Sequence, residues 1–256
     1  MSEYKNWSND YVDQTETAFS LAKVFGYMFA GLAITSIVMF GLSALYWRLF
    51  SVGNGFIDSE STLDFSNNAA VLTLLIMMIV SFVGLIVLSF VVPGMLHSGK
   101  HSILVPSIIY SVLMGVALST IAIFVPWYLL ATTFAITTVI FGLLALIALL
   151  SRGRLNGLLI VGIGLILGAA LISLFLWILT WFIDVTWLYW VISLALFAGL
   201  MFITIWDVAR IKNIAQEGEM NNNLSLYCAY ILYNDFIHIF IRVLKILLIV
   251  VIRSKK

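Results

Sequence analysis

The chain has 256 residues, of which 63% are hydrophobic and 10% charged, with a mean hydropathy of +1.13. Such a composition excludes a water-soluble domain with a polar exterior and implies a polytopic membrane protein whose first partner is the lipid bilayer. The 13 basic and 12 acidic residues nearly cancel, so the charge gives no sign of a nucleic-acid partner.

Residues 1–20 are polar and read as an N-terminal cytoplasmic arm, and residues 21–256 as one seven-helix transmembrane domain. A helix needs roughly 20 apolar residues to cross the hydrocarbon core. Runs at 24–45, 69–92, 105–124, 128–150, 158–182 and 187–206 meet that length. The first is too long and too late in the chain for a cleaved secretory signal. A seventh run, 224–252, is long enough but polar in its middle. The runs are continuous rather than alternating, and a spanning backbone must satisfy its own hydrogen bonds, so helices are expected and a barrel is not. The connections leave no room for a soluble catalytic domain. The single cysteine, Cys228, excludes an intramolecular disulfide and a multi-thiolate metal site, and no tightly bound cofactor is expected.

Within these runs, Pro93 is expected to end the second span, and Pro106 and Pro126 to open the helices that follow them. Gly164 and Gly168, with Gly162 nearby, match a small-residue packing face, because no Lys-Ser/Thr sequel makes them a phosphate cradle. The segment "QEGEMNNN" at 216–223 is a candidate hinge. If successive loops alternate across the membrane, Lys5, Lys23, Lys100, Arg152, Arg154, Arg210 and Lys212 share the side of the arm, against Arg48 alone on the other. The positive-inside rule then makes that side cytoplasmic.

Two carboxylates lie within or at the edge of the runs: Asp207, ending the sixth, and Asp235, inside the seventh. A charge at a helix centre costs roughly 2.5 to 3.5 kcal/mol on the most lenient insertion scale, so such residues are expected to face a bundle interior and to be functional. At 100° per residue Asp235 and Arg242 fall on one face of the last helix, with His238 and Lys245 beside them. Two readings follow. In one, Asp235 is neutralised on its own helix by His238 and Arg242; in the other it meets Asp207, and the two acids, unable to ionise together cheaply, share one proton.

"IWDVARIKNIA" (205–215) followed by "LYNDFIHIFIRVLKIL" (232–247) resembles the signature of the transmembrane Bax inhibitor motif family. Softer echoes are "VFGYMFAGLAIT" (24–35), "YSVLMGVALS" (110–119) and "TTVIFGLLALIALLSRGRL" (137–155), in the same order along the chain. The resemblance implies an all-α membrane fold, a seven-transmembrane-helix bundle with the C-terminal helix central. It also implies a pH-sensitive calcium leak gated by a proton-sharing aspartate pair, here Asp207 and Asp235, which would hold calcium transiently. A basic group at the inner end of the second helix closes the pair in such proteins. Lys100 stands closest to that position, with His97 and His101 as alternatives. His238, where the family often has Asn, and Arg242, where it has a neutral polar residue, join Asp207, Asp235 and Lys100 in the expected pH gate. These two residues would bring extra positive charge to the face that carries Asp235.

Three functions of different classes are weighed. The leading one is the calcium leak, with calcium and protons as partners and, in a bacterium, the plasma (inner) membrane as location. The alternative is a non-conducting regulator that binds other membrane proteins, in protease modulation or in stress and cell-death control. An intramembrane aspartyl protease fares poorly, because Asp235 follows "YN" in a helical run rather than a Gly-x-Gly-Asp turn, so the chain is not expected to be an enzyme.

Overall fold

The computed structural model describes residues 2–50, 68–98, 102–151, 156–179, 186–218 and 220–254. Among them every regular element is an α-helix: α1 (Ser2–Phe50), α2 (Asn68–Ser98), α3 (Leu104–Phe124), α4 (Trp127–Leu150), α5 (Asn156–Leu179), α6 (Thr186–Gln216) and α7 (Asn222–Ser254). The polar arm is therefore helical and continuous with the first span.

Five segments are long and apolar enough to cross a membrane, Thr15–Tyr46, Leu72–Leu96, Leu104–Phe124, Trp127–Leu150 and Trp190–Gln216, and a shorter apolar stretch, Gly157–Ser173, lies in α5. α7 is equally long but places Asp235, Arg242 and Lys245 within about three turns. The most apolar window of α2 has a mean hydropathy of 3.0 and is only 11% buried, whereas that of α3 is less apolar and 44% buried. Hydropathy thus marks α2 as a lipid-facing helix, and α3 spends its milder composition on protein contacts.

The helices divide into two compact units. One comprises Lys23–Ala131 and Asn221–Tyr233, the other Met1–Ala22, Thr132–Met220 and Asn234–Lys256. In the first, α1 buries Val24, Met28, Leu32, Thr35 and Met39 at helical spacing. A methyl at Gly115 of α3 would stand 2.8 Å from the Thr35 carbonyl oxygen, so only glycine lets these backbones approach. Thr35 is the polar centre of the crossing. Its Oγ1 lies 2.9 Å from the Ser111 carbonyl, to which it donates, and 2.6 Å from the Tyr233 hydroxyl. Tyr110 meets Tyr230 edge to face at 4.9 Å.

In the second unit Phe236 packs between Phe134 and Phe141, with ring centres 5.5 and 5.6 Å away. Lys212 of α6 donates to the carbonyls of Leu149 and Ser151 at 2.7 and 3.0 Å, satisfying acceptors that the end of α4 leaves without helical partners. A close crossing joins α5 to α6. A methyl on Gly162 would stand 3.0 Å from the Gly199 carbonyl oxygen, and one on Gly199 would stand 3.0 Å from that of Gly162.

Three expectations are corrected here. The small-residue contact runs through Gly162 and Gly199, since nothing lies within 4 Å of a methyl at Gly164 or Gly168; the spacing of glycines alone does not say which face meets a neighbour. Pro93 lies inside α2, which continues to Ser98, as membrane helices tolerate when other groups take up the freed carbonyl. The sixth helix does not stop near Trp206 but runs to Gln216, which leaves Asp207 more than two turns inside it. Pro106 and Pro126 do stand at helix starts, the Pro126 carbonyl accepting from Leu129 and Leu130.

α6 ends in a capped turn. Glu217 N–H donates to Asn213 O at 3.0 Å and Gly218 N–H to Ala215 O at 3.4 Å, with Gly218 at φ +72°, a left-handed conformation that favours glycine. Asn221 then caps α7, its Oδ1 accepting from Leu224 N–H at 2.8 Å.

Gly162→Ala and Gly199→Ala are each expected to destabilise the purified protein by about 1–3 kcal/mol, since both must push backbones apart. Gly164→Ala should leave thermal unfolding in detergent unchanged. Equal melting of all three variants would contradict the crossing described.

Candidate functional site

Asp207 and Asp235 come together in one unit from α6 and α7. Asp207 is 8% exposed and Asp235 half-buried, and their carboxyl groups are within hydrogen-bonding reach of one another. Two facts of chain length make this meeting geometrically ordinary. Asp207 lies nine residues before the end of α6 and Asp235 thirteen after the start of α7, so in an antiparallel pair the two differ by about 6 Å of rise.

Thr204, fully buried on α6 one turn before Asp207, hydrogen-bonds to Asp235. Its Oγ1 also donates to the Leu200 carbonyl at 3.0 Å. A hydroxyl has one proton and two lone pairs. Turned to Leu200, it can accept from a protonated Asp235; turned to Asp235, it can donate to a carboxylate. Arg210, three residues beyond Asp207, brings a positive charge near that carboxyl, and its guanidinium lies 5.3 Å from the Trp206 ring centre. The Oδ2 atom of Asp235 is sealed from solvent and has no hydrogen-bond partner among the described residues.

Two other expected members of the gate, His238 and Arg242, do not pair with the acids among the described residues. Among the described residues no hydrogen bond joins Asp235 to His238 or Arg242; instead His238, Arg242 and Lys245 line a separate cavity. Neutralisation of Asp235 by its own helix is thus not what the geometry provides. Lys100 and His101 lie outside the described residues, as does the side chain of His97. Cys228 is buried and forms no disulfide. No three His, Cys, Asp or Glu side chains cluster as a metal site among the described residues, so the acid pair offers a cation two carboxylates and nothing denser.

Thr204 and the role of Arg210 carry no motif signal. Both stand three residues from Asp207, and helical spacing could have picked them out.

The chain matches the model of a family described as inhibitor of apoptosis-promoting Bax1 over residues 18–250. It is 29% identical over 248 residues to the inner membrane protein YbhL of Escherichia coli strain K12, covering 88% of this chain and 89% of that protein. YbhL of E. coli strain CFT073 gives the same figures. No solved structure matches the chain.

Because the two acids contact each other, replacing both with Asn should not cost the sum of the single replacements. A double-mutant cycle of Asp207→Asn and Asp235→Asn, read by thermal unfolding, is expected to give a coupling of about 0.5–3 kcal/mol. Strict additivity would mean that the side chains do not interact.

Proposed function

This chain belongs to the Bax inhibitor family, and from that premise we propose that it is a pH-sensitive calcium leak of a cellular membrane, gated by a proton that Asp207 and Asp235 share. The observation that carries the reading is the meeting of these two carboxyls from neighbouring helices, with one Asp235 oxygen left unpartnered. Acids so placed cannot both hold a negative charge cheaply, and a single proton between them is the economical arrangement.

Calcium takes six to eight oxygens. Two carboxylates completed by water and carbonyls make a weak, transient site, as suits an ion that must leave again. A proton between the acids occupies the oxygens calcium would use, so the two cations compete. Thr204 can serve both states by turning its hydroxyl, and Arg210 brings a positive charge near Asp207. Lys100 remains the basic latch that the family resemblance suggests. The inner-membrane location of the YbhL relatives supports a plasma (inner) membrane location, and the distribution of Lys and Arg supports a cytoplasmic N-terminus. The reading assigns no catalytic chemistry.

A second reading, a non-conducting regulator that binds other membrane proteins, is favoured by one observation: Arg242 and Lys245 place two positive charges on the same helix as Asp235, and they oppose the passage of a cation.

Reconstituted into liposomes, the full chain is expected to pass calcium at a rate that falls as the medium is acidified. Asp207→Asn and Asp235→Asn should each abolish that pH dependence. Absence of calcium movement at every pH, or wild-type behaviour in both variants, would reject the leak; a stable co-purifying membrane protein in that event would support the regulator.

A further inference from the structure

A second polar feature of α7 follows the acids along the same helix. His238, Arg242 and Lys245 recur at i, i+4 and i+7, one stripe of the helix, and line a cavity of about 390 Å³ whose other walls are apolar, chiefly Ile166 of α5 and Leu196 and Leu200 of α6. Neither Asp207 nor Asp235 is among its lining residues.

Among the described residues the charges on this stripe are uncompensated. Among the described residues neither Arg242 nor Lys245 has an ion-pair partner. His238 hydrogen-bonds the Asn234 backbone four residues earlier, which occupies one ring nitrogen and makes the imidazole a wall of the cavity. Arg242 and Lys245 together hold eight N–H donors and no acceptor. An anion rich in oxygen is the group that this arrangement lacks.

The apolar walls beside the cations identify what kind of anion. Lys245 stands 23 residues and Arg242 20 residues beyond Asn222, the first residue of α7, which at 1.5 Å per residue is about 35 and 30 Å along the helix. The hydrocarbon core is about 30 Å thick. The two cations therefore stand about one hydrocarbon thickness along α7 from its start, while Leu200 and Ile166 extend the cavity with apolar surface. A free phosphate ion would satisfy the cations and leave these walls wet. A molecule with a phosphodiester at one end and hydrocarbon at the other satisfies both.

We propose that this cavity is a binding site for an anionic phospholipid, with Arg242 and Lys245 on the phosphate and Ile166, Leu196 and Leu200 against the upper acyl chain. The bound lipid supplies the counter-charge that α7 lacks, and it shields the rest of the helix from two positive charges.

The test is native mass spectrometry of the detergent-solubilised full chain, titrated separately with phosphatidylglycerol and with phosphatidylcholine of the same acyl chains. The wild type is expected to bind phosphatidylglycerol selectively. In the Arg242→Gln/Lys245→Gln double variant that affinity should fall at least about tenfold, at about 1 kcal/mol per basic residue near a headgroup, while phosphatidylcholine binding stays the same. Leu200→Trp, which fills the apolar part, should weaken it as well, and Lys23→Gln, in the other unit, should not. Equal wild-type affinity for the two lipids overturns the proposal whether or not any variant folds. Undiminished phosphatidylglycerol binding in the double variant also overturns it. So does release of the lipid by inorganic phosphate, which would mark the site as one for a free anion.

Discussion

A carboxyl group carried into a membrane helix has to find a partner inside the protein, because the surrounding hydrocarbon supplies none. Asp235 meets that requirement with Asp207 and Thr204 rather than with the cations of its own helix. The consequence reaches well beyond the pair. α6 must continue past Trp206 to carry Asp207 to the right depth, the turn between α6 and α7 must be short and capped, and Phe236, next to Asp235, must be fixed between Phe134 and Phe141. The position of α6 is in turn set by its glycine crossing with α5 and by Lys212 on the end of α4.

Partner choice also separates two kinds of polarity on one helix. At Asp235, α7 turns an acid toward α6, and over the next turns it presents Arg242 and Lys245 to a cavity with apolar walls. Placing like with like in this way keeps the cations from neutralising the acid directly. If the pair is to respond to protons, this separation is what leaves it free to do so.

Much of this was legible in the sequence. Hydropathy locates helices because lipid penalises any exposed polar backbone, and the two acids stand out because charges within such helices are few. The capped turn could be read from Gly218 and Asn221. What could not be read is rotation about helix axes and the depth at which a helix stops. Gly164 and Gly168 have the spacing of a packing face, yet Gly162 and Gly199 make the contact, because that choice depends on how α5 and α6 cross. Arg242 falls on the Asp235 face of an ideal helical wheel, but two turns of rise separate the side chains and their neighbours differ. A hydropathy run stops at the first charges, here at Trp206 where the polar "WDVARIK" begins, whereas the helix continues to Gln216 for as long as its backbone bonds and Asp207 finds protein around it.

The most direct measurement is infrared difference spectroscopy of the reconstituted full chain through a pH titration, following the carboxyl stretches of Asp207 and Asp235. If the acids share a proton, their bands change together, and replacing either one by Asn alters the titration of the other. Two independent transitions, each unaffected by loss of the partner acid, would contradict the account.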